Sequence, residues 1–145
     1  MTATMTYRIK GTTDDVTTCG QCGREDLKST VVMAILDADS NEEDVTYMGS
    51  DCAAKAAQWT QAKVRKDAHD ADKAADTAFH QWQDARHRAD MAASTVALAR
   101  LGLARTPRNM DVVAGDETYQ AEVAAWVEAH PAPAPSARVA RMYAH

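Results

Sequence analysis

Two patterns of apolar positions divide this chain. Residues 30–36 (TVVMAIL) form a β-branched, apolar run, and residues 45–48 (VTYM) form a second, shorter one. Between them lies the polar, turn-forming stretch DADSNEED at 37–44, so the pair predicts a β-hairpin. Thereafter the period changes. Neither glycine nor proline occurs from Ser50 through Leu101, while Gly49 and Gly102 bracket the stretch and Pro107 follows. Alanine, lysine, arginine and glutamine dominate it, which predicts one helix, unbroken, on the order of 75 Å long at 1.5 Å per residue.

The helix carries a sevenfold repeat. One position runs Ala54, Gln61, Ala68, Ala75, Trp82, Ala89, Val96; its partner runs Ala57, Val64, Ala71, Ala78, Ala85, Ala92, Ala99. All but Gln61 are apolar, as in a coiled-coil seam, and alanine there suits a close, antiparallel approach of two helices. Trp59, Phe79 and Trp82 add larger anchors. The alternative is that abundant alanine produces the repeat in a helix-prone stretch.

Beyond Gly102, the Thr106-Pro107 segment reads as extended. Asp116 is placed to cap a helix to about Ala129 with Tyr119, Val123, Trp126 and Val127 on one side, and His130-Pro131 stops it. Residues 131–135 (PAPAP) form a stiff spacer, and Ser136 caps a final turn carrying Val139, Met142 and Tyr143. Neither segment is long enough to cover the seam. A second copy is therefore expected on it, in a two-fold homodimer through residues 54–99.

Composition tempers the core. Of 145 residues 46% are apolar, but 30 are alanine and one is phenylalanine, so little surface is buried per residue. Acids outnumber lysine and arginine by 21 to 16, giving −5, the wrong sign for general phosphate binding. No run approaches the ~18 apolar residues of a membrane span, and the N-terminal MTATMTYRIK lacks a signal peptide's apolar stretch. A soluble, cytoplasmic protein with no membrane partner is expected.

The candidate chemistry lies in the cysteines. Cys19, Cys22 and Cys52 are the only three, an odd count that argues for metal or free thiols rather than a disulfide framework. Cys19-Gly20-Gln21-Cys22-Gly23 has the spacing of a zinc knuckle, in which a tight turn presents both sulfurs on one side. The predicted hairpin returns Gly49-Ser50-Asp51-Cys52 to this turn as the helix begins, with Ser50 or Asp51 as cap. Knuckle, hairpin and a ligand at a helix start are the layout of a treble-clef zinc site.

One turn into the helix, where a treble clef would supply its fourth ligand, stand Lys55 and Ala56. Asp51 is the nearest substitute, with Glu25 and Asp26 as others. His69 lies 17 residues past Cys52, roughly 25 Å along a straight helix. His130 and His145 reach the site only if the tail folds back. A water there would make an open, catalytic geometry.

The run CGQCGREDLKSTVV…YMGSDCAAKA resembles a small module of uncharacterised actinobacterial and actinophage proteins that read CxxCG, a short apolar hairpin, then GxxCA opening a helix. The likeness spans about residues 16 to 57. It implies zinc at Cys19, Cys22 and Cys52 and implies no activity.

Other motifs are blander. Asp76, His80, Asp84 and His87 line one side of the helix at ligand spacing, but opposite the alanine seam, as a solvated face would be. Asp37-x-Asp39-x-Asn41 opens like a calcium loop, then places Glu42 where glycine is required. Lys63, Arg65, Lys66, Lys73, Arg86 and Arg88 form a basic strip interrupted by Asp67, Asp70 and Asp72.

Together these features predict an α+β, predominantly α chain: a zinc-knuckle and hairpin module at 1–50, a long alanine-rich helix at 50–102, a loop and short helix at 103–130, and a spacer and tail at 131–145. The expected ligands are Cys19, Cys22, Cys52 and Asp51, around a structural zinc. The expected role is non-enzymatic: protein–protein interaction through the helix, as an adaptor or a host-directed phage accessory. A nucleic-acid-binding zinc protein, or an enzyme with an open zinc position, is the alternative.

Overall fold

The structure, a computed structural model, describes residues 5–144. The chain is α+β and mostly helical, in the order β1 (Thr6–Thr13), β2 (Thr30–Leu36), β3 (Glu42–Met48), α1 (Ser50–Ala57), α2 (Gln61–Leu101), α3 (Pro107–Ala114), α4 (Glu117–Ala129) and α5 (Ala137–Met142). It forms two units: Met1–Thr77 with Ala134–His145, and Ala78–Pro133.

In the first unit, the predicted hairpin of β2 and β3 is present, pairing Val31 with Met48 and Met33 with Thr46. A third, unpredicted strand, β1, adds to the other edge of β2. Its signal is weak because only Tyr7 and Ile9 are large and apolar. They alternate with Arg8 and Lys10, whose side chains reach Glu42 at 3.4 and 2.9 Å. The pairing register slips between Ile9 and Gly11, leaving Lys10 as a bulge. Gly11 takes φ 138°, and the Asp72 carboxylate of α2 accepts from Thr12 N at 3.0 Å and from Thr12 Oγ1 at 2.7 Å.

The helix foreseen over 50–102 is two helices. Gln58 is left-handed at φ 59°, and Trp59 N donates to Ala54 O at 2.9 Å. Thr60 Oγ1 then accepts from Lys63 N at 3.1 Å, restarting the helix as an N-cap. The break has a packing reason. Ala53 and Ala54 of α1 and Val64 and Ala68 of α2 all join one core with Ile9, Val31, Met33 and Met48, and Trp59 packs against it. A straight rod would carry one of these pairs off the sheet. At the start of α1, Gly49 rather than Ser50 or Asp51 is the N-cap, with no side-chain cap.

The C-terminal α5 also belongs to the first unit. Ser136 caps it, as foreseen, and donates from N and Oγ to Asp76 at 2.7 and 2.9 Å. Val139 is buried, whereas Met142 and Tyr143 are exposed. Arg141 pairs with Asp14 at 2.6 Å.

In the second unit, α2 ends at Gly102 (φ 67°), with Leu103 N bonded to Leu98 O at 2.9 Å and Gly102 N to Ala99 O at 3.2 Å. This is a Schellman motif, completed by Leu103 packing with Leu98. Thr106 is extended, as expected before proline, but Pro107 opens a helix rather than continuing the extended segment: Thr106 caps α3 through Asn109 N at 3.1 Å, and Pro107 occupies the first turn, where its missing N–H costs nothing. Asp116 caps α4 as foreseen. Helix α4 then runs antiparallel to α2. Tyr119 donates to the Asp90 carboxylate, Trp126 meets Trp82 with centroids 6.1 Å apart, and Trp82 Nε1 donates to His130 O at 2.7 Å.

These contacts revise the seam. Seam positions Val64 and Ala68 are buried against the first unit's own sheet. Toward the helix end the buried residues are Ala93, Ser94, Ala97 and Leu98, and seam residue Val96 is 57% exposed. A straight helix drifts about 20° per heptad from a strict repeat. Over five heptads from Val64 the drift reaches about 100°, so a strict sevenfold repeat does not keep to one face along the whole helix. The chain therefore covers part of its own stripe.

The Tyr119–Asp90 bond gives the second unit an alkaline limit. This bond above all, with burial and the Asp90 charge, pushes the Tyr119 hydroxyl up to about 12. Since the folded value exceeds the ordinary 10.0, its contribution is full below pH 10 and disappears as pH rises through about 12. Tyr119→Phe is expected to cost about 1 kcal/mol at neutral pH. Denaturant titrations of the variant and wild type should converge above pH 12.

Candidate metal centre

The sequence between β1 and β2 folds as a tight turn. Gly23 N donates to Cys19 O and Cys19 N to Arg24 O, each at 2.9 Å, and Gly23 takes φ 75°. Leu27 N closes the base on Thr17 O at 3.0 Å. Gly20 N fastens the turn to the end of β3 through Tyr47 O at 2.7 Å. A Cβ on Gly20 would lie 3.1 Å from that oxygen, so the close approach favours glycine. One residue past β3, Gly49 begins α1 and brings Cys52 into its first turn.

Two segments distant in sequence thus converge, and the sulfurs of Cys19, Cys22 and Cys52 lie within 4.8 Å of one another. All three are free thiols, and they are close enough to hold one metal ion. Cys19 is buried, Cys52 half-buried and Cys22 exposed, so the cluster has an inner wall and an open side.

Their electrostatics differ. Burial pushes the Cys19 thiol up, but hydrogen bonds from the backbone at Cys22, Gly49 and Gln21, and from the Cys22 side chain, outweigh it and bring it down to about 7. Cys52 is pushed up to about 11 by hydrogen bonding to Cys22, then by burial, then by contact with Cys19 and the charges of both neighbours. Like charges cannot accumulate so closely without a cation between them.

The structure does not bring Asp51 into this cluster. Its carboxylate accepts from Gln61 Nε2, which also reaches Ser50 Oγ at 3.3 Å. Gln61, the one polar residue in the sevenfold repeat, therefore clasps the start of α1 to the start of α2. No carboxylate or imidazole joins the three sulfurs in a cluster among the described residues. Glu25 and Asp26 are exposed, with Asp26 left-handed at φ 59°. His130 belongs to the second unit, its ring stacked on Trp126 at 4.4 Å and its Nδ1 against Trp126 O at 2.8 Å. His145 lies outside the described residues. Gly20 and Gln61 were not recognisable as site residues in sequence. The available signals were the glycine inside CGQC and the lone break in an apolar pattern.

The remaining motifs have local explanations. Asp37 Oδ1 accepts from Asp39 N and Asn41 N at 2.9 and 2.8 Å, making the calcium-like tip a self-satisfied turn. Asp76 is held by Ser136 rather than facing water, and His80 Nδ1 meets Gln83 Oε1 at 3.1 Å. In the basic strip Lys63 pairs with Asp67 at 2.7 Å and Lys66 with Asp70 at 2.8 Å. Among the described residues, no helix is long and apolar enough to cross a membrane. No protein family, curated protein or solved structure matches the chain in comparison.

Proposed function

We propose that the protein is a non-enzymatic, zinc-clamped interaction module of the reducing cytoplasm. The convergence of three sulfurs from the knuckle turn and the α1 start carries this reading. Tetrahedral zinc with ~2.3 Å bonds sets sulfurs about 3.8 Å apart. Sulfurs within 4.8 Å need close by about 1 Å at most, so the donors fit. Zinc bound there ties the turn, β3 and α1 together in a unit whose core is largely alanine and short aliphatics. The resemblance to actinobacterial and actinophage modules supports the same ligands and suggests a host-directed accessory role. Metal analysis of the purified chain tests the clamp: one zinc per chain is expected, and none in Cys52→Ser.

The interaction surface we assign is the exposed part of the seam in the second unit. A groove of about 350 Å³ there is lined by Ala89, Ala92, Val96, Val123 and Trp126, with Arg86 and Glu122 beside it. Opposite charges at one groove suit a two-fold pairing of copies, the arrangement expected from the repeat. Mass in solution should fall from dimer to monomer in Val96→Arg, and a wild-type monomer at high concentration would remove self-association. Internal pairing of Lys63 and Lys66 with aspartates weighs against nucleic acid. Absence of a salt-sensitive shift of labelled DNA or RNA at low salt is the expected result.

A further inference from the structure

We infer that the metal clamp is completed from outside the described fold, by one thiolate or imidazole donor entering on its open side. This deepens the reading above and rests on it. The three sulfurs supply three of the four donors that a tetrahedral thiolate site takes. No fourth carboxylate or imidazole joins them among the described residues, and the first candidate is committed elsewhere, since Gln61 holds the Asp51 carboxylate. Access is one-sided. Cys19 is 2% exposed and forms the inner wall, whereas Cys22 is exposed and Cys52 only half-covered. An entering donor therefore approaches past Cys22, without moving the core beneath Cys19.

The donor set selects the chemistry. Two or three thiolates around one ion favour another soft or borderline ligand over a carboxylate. A cysteine or histidine side chain of a bound protein and a free small thiol offer the same atoms. In the first case the clamp would read out a partner directly, making the metal part of the interface rather than only a support for it.

Cobalt(II) in place of zinc reports the coordination sphere through its visible absorption. The full chain is loaded with one cobalt per chain and titrated with imidazole, then with 2-mercaptoethanol. Each probe is expected to shift the visible bands saturably with one equivalent bound. The shift should be retained in Asp51→Ala and Glu25→Gln. Titration with synthetic peptides carrying a single cysteine or a single histidine distinguishes the source: the same shift at far lower concentration indicates a side-chain donor, and equal potency of the free thiol indicates a small molecule. A cobalt spectrum indifferent to both probes overturns the inference. So does a spectrum altered by Asp51→Ala, or by removal of His145, because the fourth donor would then lie in the chain. Failure to bind cobalt at all overturns the clamp and this inference together, whereas tight cobalt binding without a probe response leaves the clamp standing and removes only the external donor.

Discussion

With the proposed zinc held by the three cysteines, its removal from the chain is expected to unfold the first unit while the second unit keeps its structure. Metal binding free energy becomes folding free energy when the ligands come from segments that only folding brings together. Here the ligands come from a turn before β2 and from α1, with two strands between them. The core they staple contains five large aliphatic side chains (Ile9, Val31, Met33, Met48 and Val64), and alanine otherwise dominates its helical side. A core with so few large side chains gains correspondingly more from such a staple. Chelation should cost the first unit on the order of 5 kcal/mol or more, a discounted fraction of the ~10–16 kcal/mol seen for structural zinc in small peptides. Hydrogen exchange followed by peptide resolves the two units. Amides of Tyr47 and Met33 should lose protection on chelation, while those around Leu98 and Val113 keep theirs. Cys52→Ser should reproduce the pattern without chelator. Unchanged protection of β2 and β3 in metal-free protein would falsify the clamp.

The second large effect is expected at Gly11. Alanine there would place its Cβ 2.5 Å from Asp72 Oδ1, in a backbone conformation at φ 138° that L-residues rarely adopt. The carboxylate cannot simply swing aside, because it accepts from both the amide and the hydroxyl of Thr12. Gly11→Ala therefore combines backbone strain of about 1–3 kcal/mol with the loss of hydrogen bonds to a charged acceptor. We expect a total near ~3 kcal/mol, read as a lowered denaturant midpoint. Asp72→Asn, which keeps the shape and loses the charge, should cost about 1 kcal/mol. If Gly11→Ala proves neutral, the bulge does not hold β1 to α2 in the way described.

What was legible in sequence follows from how local each signal is. The hairpin was visible because residues 30–36 are almost all β-branched or apolar. The caps at Asp116 and Ser136 were visible because short polar side chains preceding helical stretches have one common use. The cysteine cluster was visible from spacing. By contrast, β1 carries little apolar surface and owes its place to the edge of β2 and to Asp72, 60 residues away. The interruption at Gln58–Thr60 was hidden because no glycine or proline marks it; Thr60 does, but only once tertiary packing rewards two shorter helices. Gln61 looked like a flaw in a repeat. Its role as a clasp on Asp51 depends on that interruption. The repeat itself was read at 3.5 residues, whereas a straight helix follows 3.6, and over forty residues the difference moves the repeat off any single face.

The discontinuity of the first unit has a consequence for synthesis. Residues 134–144 belong with residues 5–77 in one body, and 56 residues of another body intervene. As the nascent chain leaves the ribosome, Asp14 and Asp76 must wait for Arg141 and Ser136, which are translated only after the intervening stretch. The intervening Ala78–Pro133 stretch, wired by contacts such as Arg100 with Asp116 only sixteen positions apart, can close as soon as it emerges. Order of assembly is thus inverted relative to order of translation: of these two bodies, the one whose first strands emerge earlier is the one that closes later.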